Sequence, residues 1–421
     1  LLFFFFRAYF DVHTGALAAA AYAILSLSPN VFGFAAHATQ LLIVPGFAGL
    51  WLLIRAFQSG KLLSFFLAGL LFGYAFTIKQ QAVYFMLLAG IFLLFVRLRE
   101  KPVDWKVLIP EMGILIVGSV LPYLLIVCYM LLQDRFADLW FWTFEYPRAE
   151  GVDKTLEQSW GLLNMMSGMV WRGQYGLWLL AGLGWLSVFF ANWSREQKFL
   201  ALALPLFMFG GVATGFHFYP HYFVMLLPAI ALLSALFVRN ALHWLAAKNL
   251  ALLGALPVLL FIGAWSQIIQ NRTDYFFNPD YEQIIRSTYG KNPFLESKVI
   301  GEHLRSISQP GDQIAVFGSE PQLMMYAERA SVGGHLFIYP LTDGRAYSER
   351  LQEQMMRAIQ EEKPRFAVYA NFRTSWLPRD PDAKFYKKMD AELKANYQVI
   401  GAADSSEPET LYRFGDQLRN F

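Results

Sequence analysis

The sequence predicts a polytopic α-helical membrane protein with about nine full spans and a remnant of one more, followed by a C-terminal periplasmic or extracellular α/β domain. Two observations lead to this fold class. The 421 residues are 56% hydrophobic and 17% aromatic, with a mean hydropathy of +0.35, values that soluble globular proteins rarely reach. Nearly all long apolar runs lie before about residue 268, and nearly all dense charge lies after it. We therefore expect a transmembrane helical domain at 1–268 and a soluble domain at 269–421.

The predicted spans are apolar runs that can cross a hydrocarbon core about 30 Å thick, which takes roughly 17–25 helical residues. Because the chain opens on Leu-Leu-Phe-Phe-Phe-Phe-Arg and shows no signal-peptide pattern, we expect residues 1–6 to be the end of a truncated span. The nine full spans are expected at about 14–28, 38–57, 61–78, 80–96, 107–132, 174–192, 199–215, 221–238 and 250–268.

The orientation follows from the loops that carry lysine and arginine, because short cytoplasmic loops are enriched in both. The connections on one side carry eleven basic residues, which are Arg7, Arg55, Lys61, Arg97, Arg99, Lys101, Lys106, Arg195, Lys198, Arg239 and Lys248. The short opposite loops carry only Lys79. The basic side is therefore predicted to be cytoplasmic, which places the loop at 133–173 and the tail from 269 outside the cytoplasm. Glu111, one turn inside a span, is expected to reach the cytoplasmic interface or to pair with Lys106.

Composition argues against two kinds of site. No basic stripe interleaves with aromatic residues, so we expect no nucleic-acid partner. The single cysteine, Cys128, lies in an apolar run, which leaves neither a disulfide framework nor a cysteine metal site within the chain.

The tail is predicted to contain a small parallel sheet. The apolar runs Gln313–Phe317 and Arg365–Tyr369 are the expected strands, and Glu349–Lys363, which is rich in good helix formers, is the expected helix between them. A strand, helix, strand order is typical of parallel pairing. No glycine-rich phosphate loop follows either strand.

A polar cluster between two apolar runs is the main candidate site. Residues 216–228 are Phe-His-Phe-Tyr-Pro-His-Tyr-Phe-Val-Met-Leu-Leu-Pro, and polar groups at such a junction are costly and tend to be functional. Pro220 suits the first turn of a helix, so we expect His221 to cap a helix N-terminus that can bind an anion. Two alternatives stay open for His217 and His221. They could bind a divalent metal, with no carboxylate nearby in sequence, or hydrogen-bond to the backbone at the membrane interface.

An aromatic segment in the long external loop is a second candidate. It is Trp140-Phe-Trp-Thr-Phe-Glu-Tyr-Pro-Arg148. Its rings could border the entry of a lipid or stack on a sugar, with Glu145 and Arg148 facing the cavity. The alternative is an interfacial helix anchored by tryptophan and tyrosine.

Four stretches carry a family resemblance. They are Leu27-Ser-Pro29 with His37-Ala-Thr-Gln40, Ala68-Gly-Leu-Leu-Phe-Gly73 with Thr77-Ile-Lys79, Phe218-Tyr-Pro-His-Tyr222 with Pro228, and Pro310-Gly-Asp312 through Tyr326. In these the chain resembles membrane glycosyltransferases of the C-type fold, particularly the bacterial branch related to protein O-mannosyltransferases (glycosyltransferase family 39) and aminoarabinose transferases. The resemblance implies a polyprenyl-phosphate-linked sugar as donor, transfer on the outer face, and a phosphate contact by Lys79. The alternative for Lys79 is a side chain that extends its ammonium to the interface.

The resemblance also bears on catalysis. It places the catalytic carboxylate in the first external loop, which would precede Leu1, so the catalytic residue is expected upstream of this sequence. Asp11 is not a substitute, because its loop is predicted to be cytoplasmic. A second acidic position of the family corresponds to Thr39 and Gln40, a departure that favours a catalytically inactive scaffold as an alternative.

Together these features predict a glycosyltransferase of the bacterial inner membrane. It would transfer a hexosyl or pentosyl group from polyprenyl phosphate to a lipid, glycan or protein acceptor, with no cofactor assigned and a divalent metal left open. The alternative from another class is a transporter or flippase of lipid-linked sugars, which predicts internal repeats that the sequence does not show. The predicted substrate-binding residues are Lys79, Arg148, His221, Tyr222, Glu145 and His217.

Overall fold

The computed structural model describes residues 1–152, 154–376, 383–406 and 409–420. The chain divides into two compact units, Leu1–Phe276 and Phe277–Phe421. The described part of the first unit is helical, and the second combines helices with short strands.

The first unit is built from apolar helices, and each of the nine predicted span intervals overlaps one of them. Its α-helices are α1 (Leu2–Tyr9), α2 (Val12–Ser26), α3 (Ala38–Ser59), α4 (Leu62–Ile78), α5 (Val83–Arg97), α6 (Trp105–Leu132), α7 (Phe136–Trp140), α8 (Tyr146–Val152), α9 (Leu156–Trp171), α10 (Tyr175–Val188), α11 (Arg195–Ala213), α12 (Leu227–Ala247), α13 (Ala255–Gln270) and α14 (Thr273–Phe277).

Length and composition support a multi-pass membrane protein. Among the described residues, six helical segments are long and apolar enough to cross a membrane: Ala38–Ser59, Gln80–Arg97, Trp105–Leu132, Arg195–Phe216, Leu227–Ala247 and Ala251–Gln270. The shorter apolar helices α2, α4 and α10 lie in the three remaining predicted intervals, so the count of nine spans stays a prediction.

Glycines let α4 and α6 approach closely. A Cβ atom at Gly69 would lie 2.4 Å from the carbonyl oxygen of Leu115, and one at Gly73 would lie 2.4 Å from that of Ser119. Small residues are favoured between membrane helices because close packing, rather than the hydrophobic effect, drives their association. The glycines of α4 therefore form a packing surface for α6. This contact fixes the position of the helix that ends directly before Lys79.

We expect Gly69→Ala to lower the free energy of unfolding by about 1–3 kcal/mol, because the added methyl group has no room against α6. The measurement is the midpoint of denaturant unfolding in mixed micelles. Gly113→Ala on α6 is the matched control, since a Cβ there meets nothing within 4 Å, and alanine is the better helix former. Equal stability of the two variants would contradict the packing role.

Ion pairs join helix ends that are predicted to face the cytoplasm. At the end of α5, Arg97 donates from Nε and Nη2 to the two carboxylate oxygens of Glu111 on α6, at 2.8 and 2.6 Å. Arg239 Nε donates to Asp11 Oδ2 at 2.7 Å. The expected pairing of Glu111 with Lys106 is wrong. Arg97, at the C-terminal end of the adjacent α5, presents a planar two-donor group that matches the buried carboxylate better than a flexible lysine.

The second unit contains a three-stranded parallel sheet in which β1 (Gln313–Phe317) lies between β2 (Ala330–Ser331) and β3 (Phe366–Tyr369). A separate antiparallel pair consists of β4 (Gly401–Asp404) and β5 (Leu411–Phe414). In the sheet Ile314 pairs with Phe366 and Phe317 with Tyr369. The α-helices of the second unit are α15 (Tyr281–Tyr289), α16 (Phe294–Ile307), α17 (Pro321–Ala327), α18 (Tyr339–Thr342), α19 (Ser348–Glu362), α20 (Arg373–Trp376) and α21 (Ala383–Asn396).

The sheet agrees with the strands expected from the sequence. The runs Gln313–Phe317 and Arg365–Tyr369 form β1 and β3, which pair in parallel, and the helical pattern at Glu349–Lys363 forms α19. Apolar side chains of α16, α17 and the strands form the core that supports the sheet. The extracytoplasmic position of this unit stays a prediction.

Candidate functional site

Three chain segments meet at one end of the first unit. α3 begins after His37, α4 ends before Lys79, and the 3₁₀ helix Pro220–Met225 precedes α12. These segments bring together side chains that are far apart in sequence. We refer to His37, Thr39, Lys79, His221 and Tyr222 as the Lys79 cluster.

Lys79 is the centre of this cluster. Its Nζ donates to Thr39 Oγ1 at 2.8 Å and lies 4.1 Å from the ring centroid of Tyr222. Thr39 is fully buried, and burial lowers the pKa of the Lys79 ammonium to about 8. In the part of the chain that the structure describes, no carboxylate lies within ion-pair distance of Lys79. The cluster is thus a partly buried cation held by a hydroxyl group and an aromatic face.

Four rings form a continuous stack beside Lys79. The His37 and His221 rings are 4.4 Å apart at an interplanar angle of 9°. Tyr219 stacks on the other face of His221 at 5.7 Å, and His217 stacks on Tyr219 at 5.1 Å. Burial, with the nearby charge of Lys79, lowers the pKa of His37, and burial with His37 and Lys79 lowers that of His221 to about 3. Both imidazoles are therefore neutral at physiological pH.

The two ends of the stack differ in their polar partners. Nε2 of His37 is buried and has no hydrogen-bond partner among the described residues. Nε2 of His217 lies 3.2 Å from Nζ of Lys154. The stack therefore extends from the Lys79 cluster to a second lysine, Lys154, which lies in the long loop before α9.

The prediction that His221 caps a helix N-terminus is wrong. His221 lies inside the 3₁₀ helix Pro220–Met225, and α12 begins at Leu227 without a side-chain cap. Pro228 has no N–H to donate to the carbonyl four residues before it, which separates the tighter 3₁₀ turns from the regular α-helix. An anion at this place would meet side chains rather than the free N–H groups of a long helix.

The aromatic segment at 140–148 contacts Gln80, the residue that follows Lys79. Nε2 of Gln80 donates to the backbone carbonyl of Thr143, inside the π-helical turn Phe141–Glu145. Glu145 and Arg148 are exposed, and neither forms a hydrogen bond or an ion pair within the described chain. The structure thus brings the segment beside the cluster but places neither charged side chain in contact with it.

The histidines do not gather a set of metal ligands. The described residues contain no group of three or more His, Cys, Asp or Glu side chains that could hold a metal ion. Tyr219 lies between the rings of His217 and His221 in the stack. The arrangement consequently offers stacked rings and ammonium groups in place of converging ligand atoms.

Sequence reasoning did not assign His37, Thr39 or Lys154 to the site. The available signal for His37 and Thr39 was their place at the start of an apolar run, on the same predicted side of the membrane as Lys79. Lys154 lies in a loop with no periodic pattern, so only the fold could connect it with His217.

Comparison with protein families gives a match to the N-terminal part of the chain. Residues 1–132 match the family model described as dolichyl-phosphate-mannose-protein mannosyltransferase. The matched region includes His37, Thr39 and Lys79 and ends before the stacked residues at 217–222. No curated protein matches the chain. The match covers less than a third of the chain and shows that this region is similar to the family, while the apolar helices support a multi-pass membrane protein.

Proposed function

We propose that the protein transfers a sugar from a polyprenyl-phosphate donor to a lipid, glycan or protein acceptor on the extracytoplasmic face of a bacterial inner membrane. The description of the matched family names a dolichyl-phosphate sugar as donor and protein as acceptor. Dolichyl phosphate is a polyprenyl phosphate, so the donor class agrees with the one that the sequence predicts.

The observation that carries the proposal is the unpaired ammonium of Lys79. Lys79 is partly buried, and withdrawing a charge from water is costly unless an opposite charge or hydrogen bonds compensate it. Ionisable groups within a membrane unit commonly mark a substrate pathway. Lys79 has one hydroxyl acceptor, Thr39, and no carboxylate partner among the described residues. The phosphate of a lipid-linked sugar supplies the missing negative charge.

The neighbours of Lys79 suit the same ligand. The Tyr222 ring attracts the ammonium through its face, which holds Nζ in place without neutralising it. A neutral His37 with an unbonded Nε2 and a neutral His221 can each donate one hydrogen bond to a phosphate oxygen. We assign His217, Glu145 and Arg148 to the wider wall around the sugar, since His217 continues the stack and the other two belong to the segment held by Gln80.

Lys79 would act on the leaving group. When the bond between the anomeric carbon and the phosphate oxygen breaks, negative charge grows on the phosphate, and a fixed ammonium nearby stabilises it. The acceptor hydroxyl must also lose a proton to a base. None of the residues in the Lys79 cluster is assigned that role.

Thr39 favours a second candidate, a scaffold that binds the donor without transferring the sugar. Its position corresponds to an acidic position in the family that the sequence resembles, and here a hydroxyl group accepts the hydrogen bond from Lys79. A hydroxyl leaves the charge of Lys79 available to phosphate but cannot replace a carboxylate in proton transfer. Donor binding is common to both candidates, whereas sugar transfer to an acceptor separates them.

Binding of a labelled polyprenyl-phosphate sugar to the full chain in nanodiscs tests the proposal. We expect Lys79→Gln to weaken binding about tenfold to a hundredfold, because a hydrogen bond to a charged group contributes about 1.5–3 kcal/mol. Lys61→Gln is the matched control, since Lys61 is exposed at the opposite end of the same helix. Equal affinity of the Lys79→Gln and Lys61→Gln proteins would remove Lys79 from the site, and absence of donor binding by the wild type would overturn the proposal.

A further inference from the structure

The second unit contains a cavity of about 860 Å³, within the usual size range of small-molecule sites. It lies between α16, the edge of β3 and the strand β4. Glu320 and Asn371, which line it, follow the carboxyl ends of the parallel strands β1 and β3. Ligands of parallel α/β sheets commonly bind at that edge.

A carboxylate oxygen in the cavity wall has no hydrogen-bond partner. Glu296 is only 1% exposed, and its Oε1 accepts from Nη2 of Arg286 and Oγ1 of Thr410. Its Oε2 is buried and unbonded among the described residues. A buried carboxylate oxygen normally accepts hydrogen bonds, so the described residues satisfy this carboxylate only in part.

A second buried carboxylate lies in the same wall without a cationic partner. Glu320 is 5% exposed and accepts from Oγ of Ser375 and Nε2 of Gln322, both neutral donors. Gln322 Nε2 also donates to Ser297 Oγ, next to Glu296, at 3.0 Å. Within the described residues no lysine, arginine or histidine lies within ion-pair distance of Glu320.

The two carboxylates influence each other. Burial, together with the negative charge of Glu296, raises the pKa of the Glu320 carboxyl. Arg286 compensates Glu296, but no charged side chain among the described residues compensates Glu320. A positive charge bound at Glu320 would therefore favour its ionised form and offset the repulsion from Glu296.

The basic residues that line the cavity do not fill this role. Lys291 Nζ donates to the backbone carbonyl of Ser406 at 3.1 Å. Arg365 is largely exposed and lies 4.0 Å from Asp312. Aliphatic and aromatic side chains form much of the remaining wall, including the rings of His303 and Phe414, which stack 4.0 Å apart. The wall therefore suits a compact ring beside a polar head group.

We propose that this cavity binds a small ligand with a protonated amine on a ring, the ammonium donating to Glu320 and the ring packing on the aromatic side chains of the wall. An amino sugar and a simple cyclic amine share this chemistry. The site does not depend on donor binding by the first unit, so it can be tested separately.

Calorimetric titration of the full chain in nanodiscs at pH 7 tests the proposal with two matched pairs of probes. Glucosamine is compared with glucose, and cyclohexylamine with cyclohexanol. We expect at least one amine to bind and to bind at least tenfold more tightly than its neutral counterpart. Binding of glucosamine alone identifies a sugar site, and binding of both amines identifies a general amine site.

Two variants locate the binding. Glu320→Gln is expected to weaken amine binding at least tenfold, whereas Glu302→Gln, an exposed position on α16, leaves it unchanged. Ala402 on β4 also lines the cavity, so Ala402→Phe places a bulky ring in its wall while leaving both carboxylates in the sequence. This variant is expected to abolish binding, which decides the question if Glu320→Gln fails to fold. The proposal is overturned if no amine binds, if the neutral probes bind equally well, or if a folded Ala402→Phe protein binds the amine as the wild type does.

Discussion

Donor binding by the wild-type protein is expected to weaken up to about a hundredfold between pH 7 and pH 10. Burial lowers the pKa of Lys79 to about 8 in the free protein, and a bound phosphate must raise it, because an opposite charge favours the ammonium form. Binding is then coupled to proton uptake above pH 8, and the affinity falls about tenfold per pH unit until the pKa of the complex is reached. At pH 10 the wild type should approach the affinity of Lys79→Gln.

The sign of this effect is specific to Lys79. Below pH 8 the ammonium is present in the free protein, so affinity is highest there and is lost as the pH rises. His37 and His221 cannot produce the same profile, because both have pKa values below their usual range and remain neutral from pH 7 upwards. The measurement is equilibrium binding of the labelled donor at pH 6, 7, 8, 9 and 10.

Lys79→Arg is the control for the pH dependence. A guanidinium stays charged above pH 12, so this variant should bind the donor with little change across the series. If Lys79→Arg loses affinity as the wild type does, another group titrates and Lys79 does not hold the phosphate. A wild-type profile that is flat to pH 10 would likewise contradict the assignment.

The helices were predictable from the sequence because a membrane imposes one strong condition. Every backbone N–H and C=O in the hydrocarbon region must be satisfied internally, so a long apolar run has few structures other than a helix. α3 at Ala38–Ser59 and α6 at Trp105–Leu132 accordingly lie close to the predicted runs at 38–57 and 107–132. In the second unit the apolar strand β1 was equally clear, because it is buried on both faces.

The site was predictable only in part, because its contacts are tertiary. Hydropathy and the basic residues of the loops predicted Lys79 and the residues at 217–222 on one side of the membrane. They did not predict that Thr39, 40 residues before Lys79, accepts a hydrogen bond from it. The start of α12 was misplaced because Pro220 is a good first residue for either kind of helix, whereas Pro228 decides where the α-helix begins. Glu111 was assigned to a neighbour in sequence, and its partner came from the preceding helix.

Loss of the Glu111 carboxylate is expected to destabilise the first unit strongly. In Glu111→Leu the guanidinium of Arg97, whose side chain is 15% exposed, keeps its burial but loses the carboxylate that accepts from two of its nitrogen atoms. Removing one member of a buried pair costs about 3–5 kcal/mol, and the lower end is expected here because the more exposed Glu100 still pairs with Arg97. The measurement is the free energy of unfolding in mixed micelles. Glu100→Gln is the control, since Glu100 pairs with the same arginine but its side chain is 44% exposed, and such pairs contribute about 1 kcal/mol or less.

The double variant Arg97→Met with Glu111→Leu distinguishes a structural pair from a functional one. Replacing both charges by apolar side chains removes the uncompensated cation, so stability should return to within about 1 kcal/mol of the wild type. The pair joins α5 to α6, and α6 packs on the glycines of α4 directly before Lys79. If the pair only holds these helices together, donor affinity should recover with stability in the double variant. Recovery of stability without recovery of donor affinity would show instead that the charges themselves act on the site. Equal destabilisation by the single variants Glu111→Leu and Glu100→Gln would show that Arg97 does not need Glu111.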